Sequence, residues 1–350
     1  MEDTALQQRP AYPLPRLGNY RGAETALDFG DPPGELAALR SGCGVFELGW
    51  RAKITVAGKD RVRWLHNMVT NNVRDLALNR GAYNFVLNAQ GRILGDMYIY
   101  NLSESLLLDT DRAQVEPLMA AMKRFIIMDK VEMSVAGEIS SIGICGPRAS
   151  EALAAAGIDA NGLEPLEIRD QKLNDLAISL VRGPENKPGW YEIWTDNASV
   201  APSIRERLAA AGARPTGAEA LELWRVLHGI PHYGQDIRDR DLPQETGQTQ
   251  ALCFTKGCYI GQEIVERIRS RGQVHRRFTG FEFLGDAPAT GKYDSGGRTV
   301  AEITSLASIP AAGSEQKIGL GYVRREAAEA GPEVALGGQT ARIVELPFTI

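Results

Sequence analysis

The sequence predicts a mixed α+β protein of more than one lobe that ends in a small antiparallel β-barrel. Three observations carry that reading. Helical and strand-like patterns intermingle from about Leu36 to Ser270, and neither period dominates. Beyond Gln273 the texture changes to short β-rich runs separated by Gly-rich turns, with almost no helical periodicity. The chain has 350 residues, more than one typical domain, so core material for two or three domains is available. The expected organisation is a flexible tail over residues 1–20, a two-lobed module over 21–270 and the barrel over 273–350.

Met1 to Asn19 is rich in Gln, Pro and polar residues without periodicity, and reads as an extended or disordered tail. Gly34 to Ser41 reads as a helix stopped by Gly42. Ala52 to Ala57 reads as a strand with Ile54 and Val56 facing inward. Lys59 to Val69 carries Val62, Leu65 and Val69 on one helical stripe, with Trp64 and Met68 beside it. His66 lies off that stripe and is expected at the surface.

Tyr83 to Leu87 and Arg92 to Tyr100 read as antiparallel strands joined by the turn Asn88-Ala89-Gln90-Gly91. A symmetric loop places Tyr83 directly across from Asp96, both on one face. The second strand is apolar on both faces except at Gly95 and Asp96. Its carboxylate is therefore carried into a dry interior, where a charge needs a partner or a ligand.

A strand at Leu106 to Leu108 leads to Asp109-Thr110-Asp111, which supplies caps for a helix running to about Phe125. Strands are expected near Lys130 to Val135 and Ile142 to Cys145, then a helix from Pro147 to Ala156. Further strands near Leu166 to Ile168, Leu176 to Val181 and Trp190 to Trp194 surround a Gly/Pro-rich loop, Gly183 to Gly189. Thr216-Gly217-Ala218-Glu219 has the form of a capping box opening a helix that buries Ala220, Leu223, Trp224 and Leu227. The barrel strands are Phe278 to Leu284, Arg298 to Ile303, Ile318 to Val323, Glu333 to Leu336 and Thr340 to Leu346.

A net charge of -5 argues against a nucleic-acid binder that works through overall charge. From Lys256 to Arg277, six cations stand against two anions, a local +4 that is either a solvated helix face or an anion-binding rim. Four cysteines (Cys43, Cys145, Cys253, Cys258) and no secretory h-region point to a reducing cytoplasm. No run approaches membrane-spanning length. Cys253 and Cys258 form a C-x4-C pair without a second close pair, and the four histidines show no metal spacing, so no metal site is expected.

The densest chemistry lies in Lys256 to Glu263, K-G-C-Y-I-G-Q-E. Gly257 and Gly261 free the backbone for positive φ, and the helix pattern of Gln262 to Ser270 follows. Cys258 thus sits just before a helix N-terminus and near the Lys256 ammonium, both of which favour a thiolate. A free cysteine is also commonly a small buried hydrophobe. The octapeptide closely resembles the signature of the YgfZ/GcvT-like folate-binding family, relatives of the glycine-cleavage T-protein (aminomethyltransferase). G-I-P-H-Y-G-Q-D-I (Gly229 to Ile237) and L-P-Q-E (Leu242 to Glu245) resemble it too, as does most of the chain from about Leu36 onward.

The resemblance implies a T-protein-like folate-binding fold with tetrahydrofolate, or a one-carbon derivative, as its cofactor. The segment Gly81 to Asp96 is similar to the T-protein stretch that carries a tyrosine and the catalytic aspartate, with Gly95-Asp96 where the T-protein has an aspartate doublet. By the same likeness Glu192 holds the pterin, and Arg225 and Lys256 join Tyr83 and Asp96 in binding the cofactor. Cys258 and Asp96 are then the residues of chemistry. The implied roles are support of iron–sulfur proteins, including those that modify tRNA, or aminomethyl transfer; a non-catalytic scaffold is the third possibility. The implied partners are folate and iron–sulfur proteins or their assembly factors; the net charge and the lack of a membrane-length run leave no expectation of direct nucleic-acid or membrane binding.

Overall fold

The computed structural model describes residues 13–137, 139–272, 274–311 and 314–349. Two sheets stand at the centre. One has five antiparallel strands in the spatial order Gly81–Leu87, Ile93–Asn101, Ser105–Asp111, Arg51–Ala57, Glu132–Val135. The other has six, ordered Ile168–Leu173, Leu176–Arg182, Tyr191–Thr195, Ser140–Cys145, Gly44–Glu47, Arg214–Pro215, antiparallel except for the last pair.

Strand alternation decides what each sheet face carries. In Arg51–Ala57, Ile54 and Val56 are fully buried and pack with Leu65, Ile99, Leu108 and Leu118 under the helices Arg61–His66 and Arg112–Lys123. Arg51 and Lys53 take the opposite face. Cross-strand register sets them against Asp111 and Asp109 of the neighbouring strand, so cations and carboxylates meet on the face turned toward the second sheet. That second sheet buries Ile142, Ile144, Leu180 and Ile193 beneath the helices Ala149–Ala155 and Ala201–Ala210. Each sheet thus has a helix-covered face, and the two remaining faces approach each other through Tyr100, Leu107, Val181 and Trp194.

The C-terminal strands form a nearly closed antiparallel sheet in the order Gly291–Ser295, Arg298–Ala311, Ser314–Arg324, Arg276–Phe283, Gln339–Val344, Glu333–Leu336. The helix Ala218–Leu227 joins it to the module through a core of Leu36, Leu39, Trp224, Leu320 and Phe348. Among the described residues no helix is long and apolar enough to cross a membrane.

Several local expectations are corrected. Residues 1–12 of the expected tail lie outside the described residues, but Arg16–Tyr20 is a strand paired with Ala23–Asp28. The helix expected over Lys59 to Val69 spans only Arg61–His66. Thr216 to Glu219 is no capping box: Gly217 is the N-cap, and its N–H donates 2.8 Å to Glu35 Oε2, a fully buried carboxylate from another helix. The strand near Leu166 begins at Ile168. Ala201–Ala210, passed over in sequence, announces itself through Pro202 in its first turn and buried Ile204 and Leu208 one turn apart.

The hairpin register also differs. Tyr83 pairs with Tyr98 and Phe85 with Asp96, and an irregularity between Val86 and Leu87 absorbs the offset. Of the two glycines in the octapeptide, Gly261 alone has positive φ, 82°. A Cβ there would meet Asn88 O at 2.6 Å, and one at Gly91 would meet Ile264 Cβ at 2.8 Å. The tip of the hairpin and the start of the helix Gln262–Arg271 therefore touch backbone to backbone.

His66 is 2% exposed, not a surface residue. Its Nδ1 accepts from the backbone N–H groups of Val73 (3.4 Å) and Arg74 (3.2 Å). Burial, then the Lys256 and Arg74 cations, pull it down to about 4, so the ring is neutral in the fold and is charged in the unfolded chain below its ordinary value of about 6.5. Between those two values the unfolded state binds the extra proton, and stability falls as pH falls. We expect the wild type to lose more thermal stability than His66→Asn between pH 6.5 and 4. Melting curves at half-unit intervals check this; equal slopes would refute it.

Candidate functional site

A cleft opens between the facing sheets, roofed by Tyr20 and Arg21 of the N-terminal hairpin and by the helix Ala218–Leu227. Its base is the ion cluster that the register assembles. Arg51 donates to both oxygens of Asp109 (3.2 and 2.7 Å) and to Asp111 Oδ1 (2.7 Å), and Lys53 adds a 2.6 Å bond to Asp109. Burial disfavours both carboxylates, but Arg51 together with Lys53 at Asp109, and together with His232 and Arg21 at Asp111, outweighs it and holds both below the usual range. His232 Nε2 meets Asp111 Oδ2 at 3.1 Å. Asp109-Thr110-Asp111 thus belongs to the strand Ser105–Asp111, and Asp111 precedes the helix without a side-chain capping bond.

Asp96 is half-buried at the edge of this cluster. Its Oδ2 accepts from Tyr83 Oη at 2.6 Å and its Oδ1 from Gln114 Nε2 at 2.7 Å, while its own N–H donates to Gln114 Oε1 at 3.0 Å. Burial and the Asp96 charge push the Tyr83 phenol well above its ordinary value, so it remains a donor. Gly95 explains the missing second carboxylate in physical terms. A Cβ at that position would lie 2.6 Å from Leu118 Cδ2 and 2.8 Å from Gln114 Oε1, so the bare backbone is what lets Gln114 reach Asp96.

From the opposite sheet comes Glu192, whose carboxylate accepts from Trp190 Nε1 at 3.1 Å and Trp194 Nε1 at 2.8 Å. Arg225 lines the far wall, but its five N–H groups are taken by Glu222 (twice), Ile230 O (2.7 Å), Asp236 (2.6 Å) and Ser305 Oγ (2.9 Å). As placed, it shapes the cleft and offers a ligand no free donor.

The cleft gathers four of the expected site residues, Tyr83, Asp96, Glu192 and Arg225, and leaves out Lys256 and Cys258. Lys256 points inward below the octapeptide, donating to the backbone oxygens of His66, Val69 and Asn71 at 2.6, 2.6 and 2.7 Å. Burial pulls its ammonium down to about 7; three acceptors nevertheless require three N–H donors, and only the charged form has them. Cys258 is exposed. Of the groups expected to favour its thiolate, Lys256 serves Cys253: burial opposes ionisation there, but the Thr255 hydroxyl, the N–H groups of Thr255 and Lys256 and the Lys256 charge lower the thiol. Cys43, buried, is pushed up to about 12. Of the local +4, Arg276 is likewise committed, to Asp241, Glu245 and Glu302.

Sequence reasoning missed Arg51, Asp109, Asp111, His232 and Lys187. One signal was available: Arg51 and Lys53 alternate with Ile54 and Val56 in a strand whose other face is core, so two cations share the second face. Because Arg51 answers two buried carboxylates, we expect Arg51→Met to cost about 3–5 kcal/mol in chemical denaturation. Arg63→Met, which breaks a solvent-exposed pair with Asp129, should cost at most about 1 kcal/mol. Equal losses would show that the cleft cluster is dispensable.

Residues 18–256 match the GCVT N-terminal domain family. The aminomethyltransferase of Rubrobacter xylanophilus is 28% identical over 95% of this chain and 90% of its own length. That of Staphylococcus saprophyticus is 26% identical over 92% of this chain and 90% of its own. The crystal structure of glycine cleavage system aminomethyltransferase T from Bartonella henselae superposes with a TM-score of 0.83 at 20% identity, covering 96% of this chain and 94% of that one, which shows a shared fold. The family match spans more than half of the sequence, and the chain belongs to the GCVT N-terminal domain family.

Proposed function

We propose that the cleft binds a reduced folate and that the protein is a tetrahydrofolate-dependent one-carbon transferase of the aminomethyl-transferring kind. Aminomethyltransferases of this family use tetrahydrofolate as substrate or cofactor. The observation that carries the reading is the placement of two carboxylates, Asp96 and Glu192, on opposite sheets around one aromatic cleft. A pterin ring presents N–H and amino donors along one edge, and an anchored carboxylate such as Glu192 complements them. Tyr98 and Trp190 supply apolar faces for the ring.

Asp96 has a different task. When a folate nitrogen takes a one-carbon unit, that nitrogen must shed a proton, and a carboxylate fixed by Tyr83 and Gln114 is placed to receive it. The buried cluster behind it keeps the wall rigid and excludes water. A tetrahydrofolate at 100 times its dissociation constant should stabilise the protein by about 2.7 kcal/mol, read as a rise in melting temperature. Asp96→Asn should lower one-carbon transfer by about 10² to 10⁴ while changing folate affinity much less. Absence of any shift with millimolar tetrahydrofolates would sink the reading.

Exposed Cys258 favours a second reading, in which the same folate-binding protein supports iron–sulfur proteins in a reducing cytoplasm, among them those that modify tRNA. The thiol stands outside the cleft on a loop that the Lys256 side chain anchors to the backbone oxygens of His66, Val69 and Asn71, so it is available to a partner protein. Cys258→Ser should then abolish activity of a dependent iron–sulfur enzyme in cells and leave folate binding and melting temperature unchanged. Full complementation by that variant would exclude this role.

A further inference from the structure

Among the described residues that line the cleft, Lys187 is the one Lys or Arg without a carboxylate oxygen within 4.0 Å. Arg21, Arg51 and Arg225 all form ion pairs. The Lys187 ammonium instead stands 5.0 Å from the centroid of Trp190 and 5.5 Å from that of Tyr98, held between two aromatic walls. Its position is built, not incidental. The loop between Leu176–Arg182 and Tyr191–Thr195 is stiffened by Pro184 and Pro188, and Lys187 N–H closes a turn on Pro184 O at 2.9 Å. Gly189, at φ 65°, fixes the exit, where a Cβ would lie 2.4 Å from Gly146 O.

The indole of Trp190 also donates to Glu192. One ring therefore has an ammonium near its face and a carboxylate at its N–H. An ammonium offers donors and no acceptor, and a carboxylate offers acceptors and no donor. Together they complement a heterocycle edge on which a carbonyl oxygen adjoins N–H and amino groups. A 2-amino-4-oxopteridine has that edge. Its 2,4-diamino analogue replaces the carbonyl with a second amino group, which would turn N–H toward the ammonium.

We propose that Lys187 reads the carbonyl at position 4 of the pteridine and so makes the cleft select 4-oxo over 2,4-diamino ligands. This rests on the folate reading above. Burial, followed by the Arg51 charge, lowers the Lys187 ammonium; a carbonyl acceptor supplies part of the solvation that burial removes. Lys187 is here a specificity residue: it touches the ring and takes no part in moving the one-carbon unit.

The test measures dissociation constants of the intact protein for tetrahydrofolate and for its 4-amino counterpart, tetrahydroaminopterin, in the wild type, Lys187→Met, Lys187→Arg and Asp96→Asn. The wild type should prefer the 4-oxo ligand by about tenfold or more, the scale of one unmade bond to a charged donor. Lys187→Met should bring the two ligands within about threefold of each other, Lys187→Arg should keep part of the preference, and Asp96→Asn should keep all of it. A preference unchanged in Lys187→Met overturns the inference and leaves folate binding standing. So does an equal loss of both ligands in that variant, or a loss that disappears when tetrahydropterin without the glutamate tail is used, since Lys187 would then be holding the tail. If the wild type binds neither ligand, the folate reading itself has failed, and the inference falls with it.

Discussion

Everything in the module is arranged around a group of charges that is largely withdrawn from water. Asp109 and Lys53 are almost completely buried, and neither would be tolerated there alone, because isolated ions in a low-dielectric interior cost several kcal/mol each. Arg51 makes the arrangement possible. Its planar fork engages Asp109 through two nitrogens and Asp111 through one, a geometry that a lysine's point-like ammonium cannot reproduce. The bonds run between the strands Arg51–Ala57 and Ser105–Asp111, so the same contacts that neutralise charge also lock the pairing of the central sheet. A slip of one residue would turn Lys53 into the apolar helix-covered layer and Ile54 out of it.

The cleft inherits its character from that lock. Tyr98 lies directly across from Asp109, which sets its ring over the ion cluster, and Tyr83 lies across from Tyr98 on the next strand. Tyr83 and Tyr98 are 5.0 Å apart, and the Tyr83 hydroxyl carries the polar network outward to Asp96. Polarity thus grades from a saturated base, where every charge is answered, to a mouth where Asp96, Glu192 and Lys187 present groups not committed to another charge. Structure and chemistry separate along that gradient: residues deep in it fix the strands, and residues at its edge are free to meet a ligand.

Much of this was legible in the sequence, and the failures share one cause. Period-two runs such as Ala52 to Ala57 and the short β-runs after Gln273 identified strands because alternation is a local property. Tyr83 and Asp96 were expected to meet and do, although the register is not the one drawn. An irregularity at Val86/Leu87 makes them diagonal neighbours, which a tyrosine can still span. His66 was misplaced because its cover comes from Val73 and Arg74, where the chain doubles back beyond the helix. Asp109 and Asp111 read as helix caps because nothing within ten residues reveals the arginine nearly sixty positions upstream that claims them. Lys256 and Cys258, two positions apart in the octapeptide, point in unrelated directions: one ties down the loop, the other faces solvent.

Asp236 shows how the barrel is bound to this plan. Fully buried, it accepts from Arg225 and the His232 N–H on one oxygen, and from the Thr304 and Ser305 hydroxyls on the other. The first pair comes from the module, the second from the barrel strand Arg298–Ala311. Detached from the barrel, the module would hold a carboxylate with half its donors gone and an arginine missing Ser305. Neither piece is self-sufficient in hydrogen bonds, so shuffling this barrel onto another protein, or trading it for a different one, would break a chemical valence before it disturbed any surface.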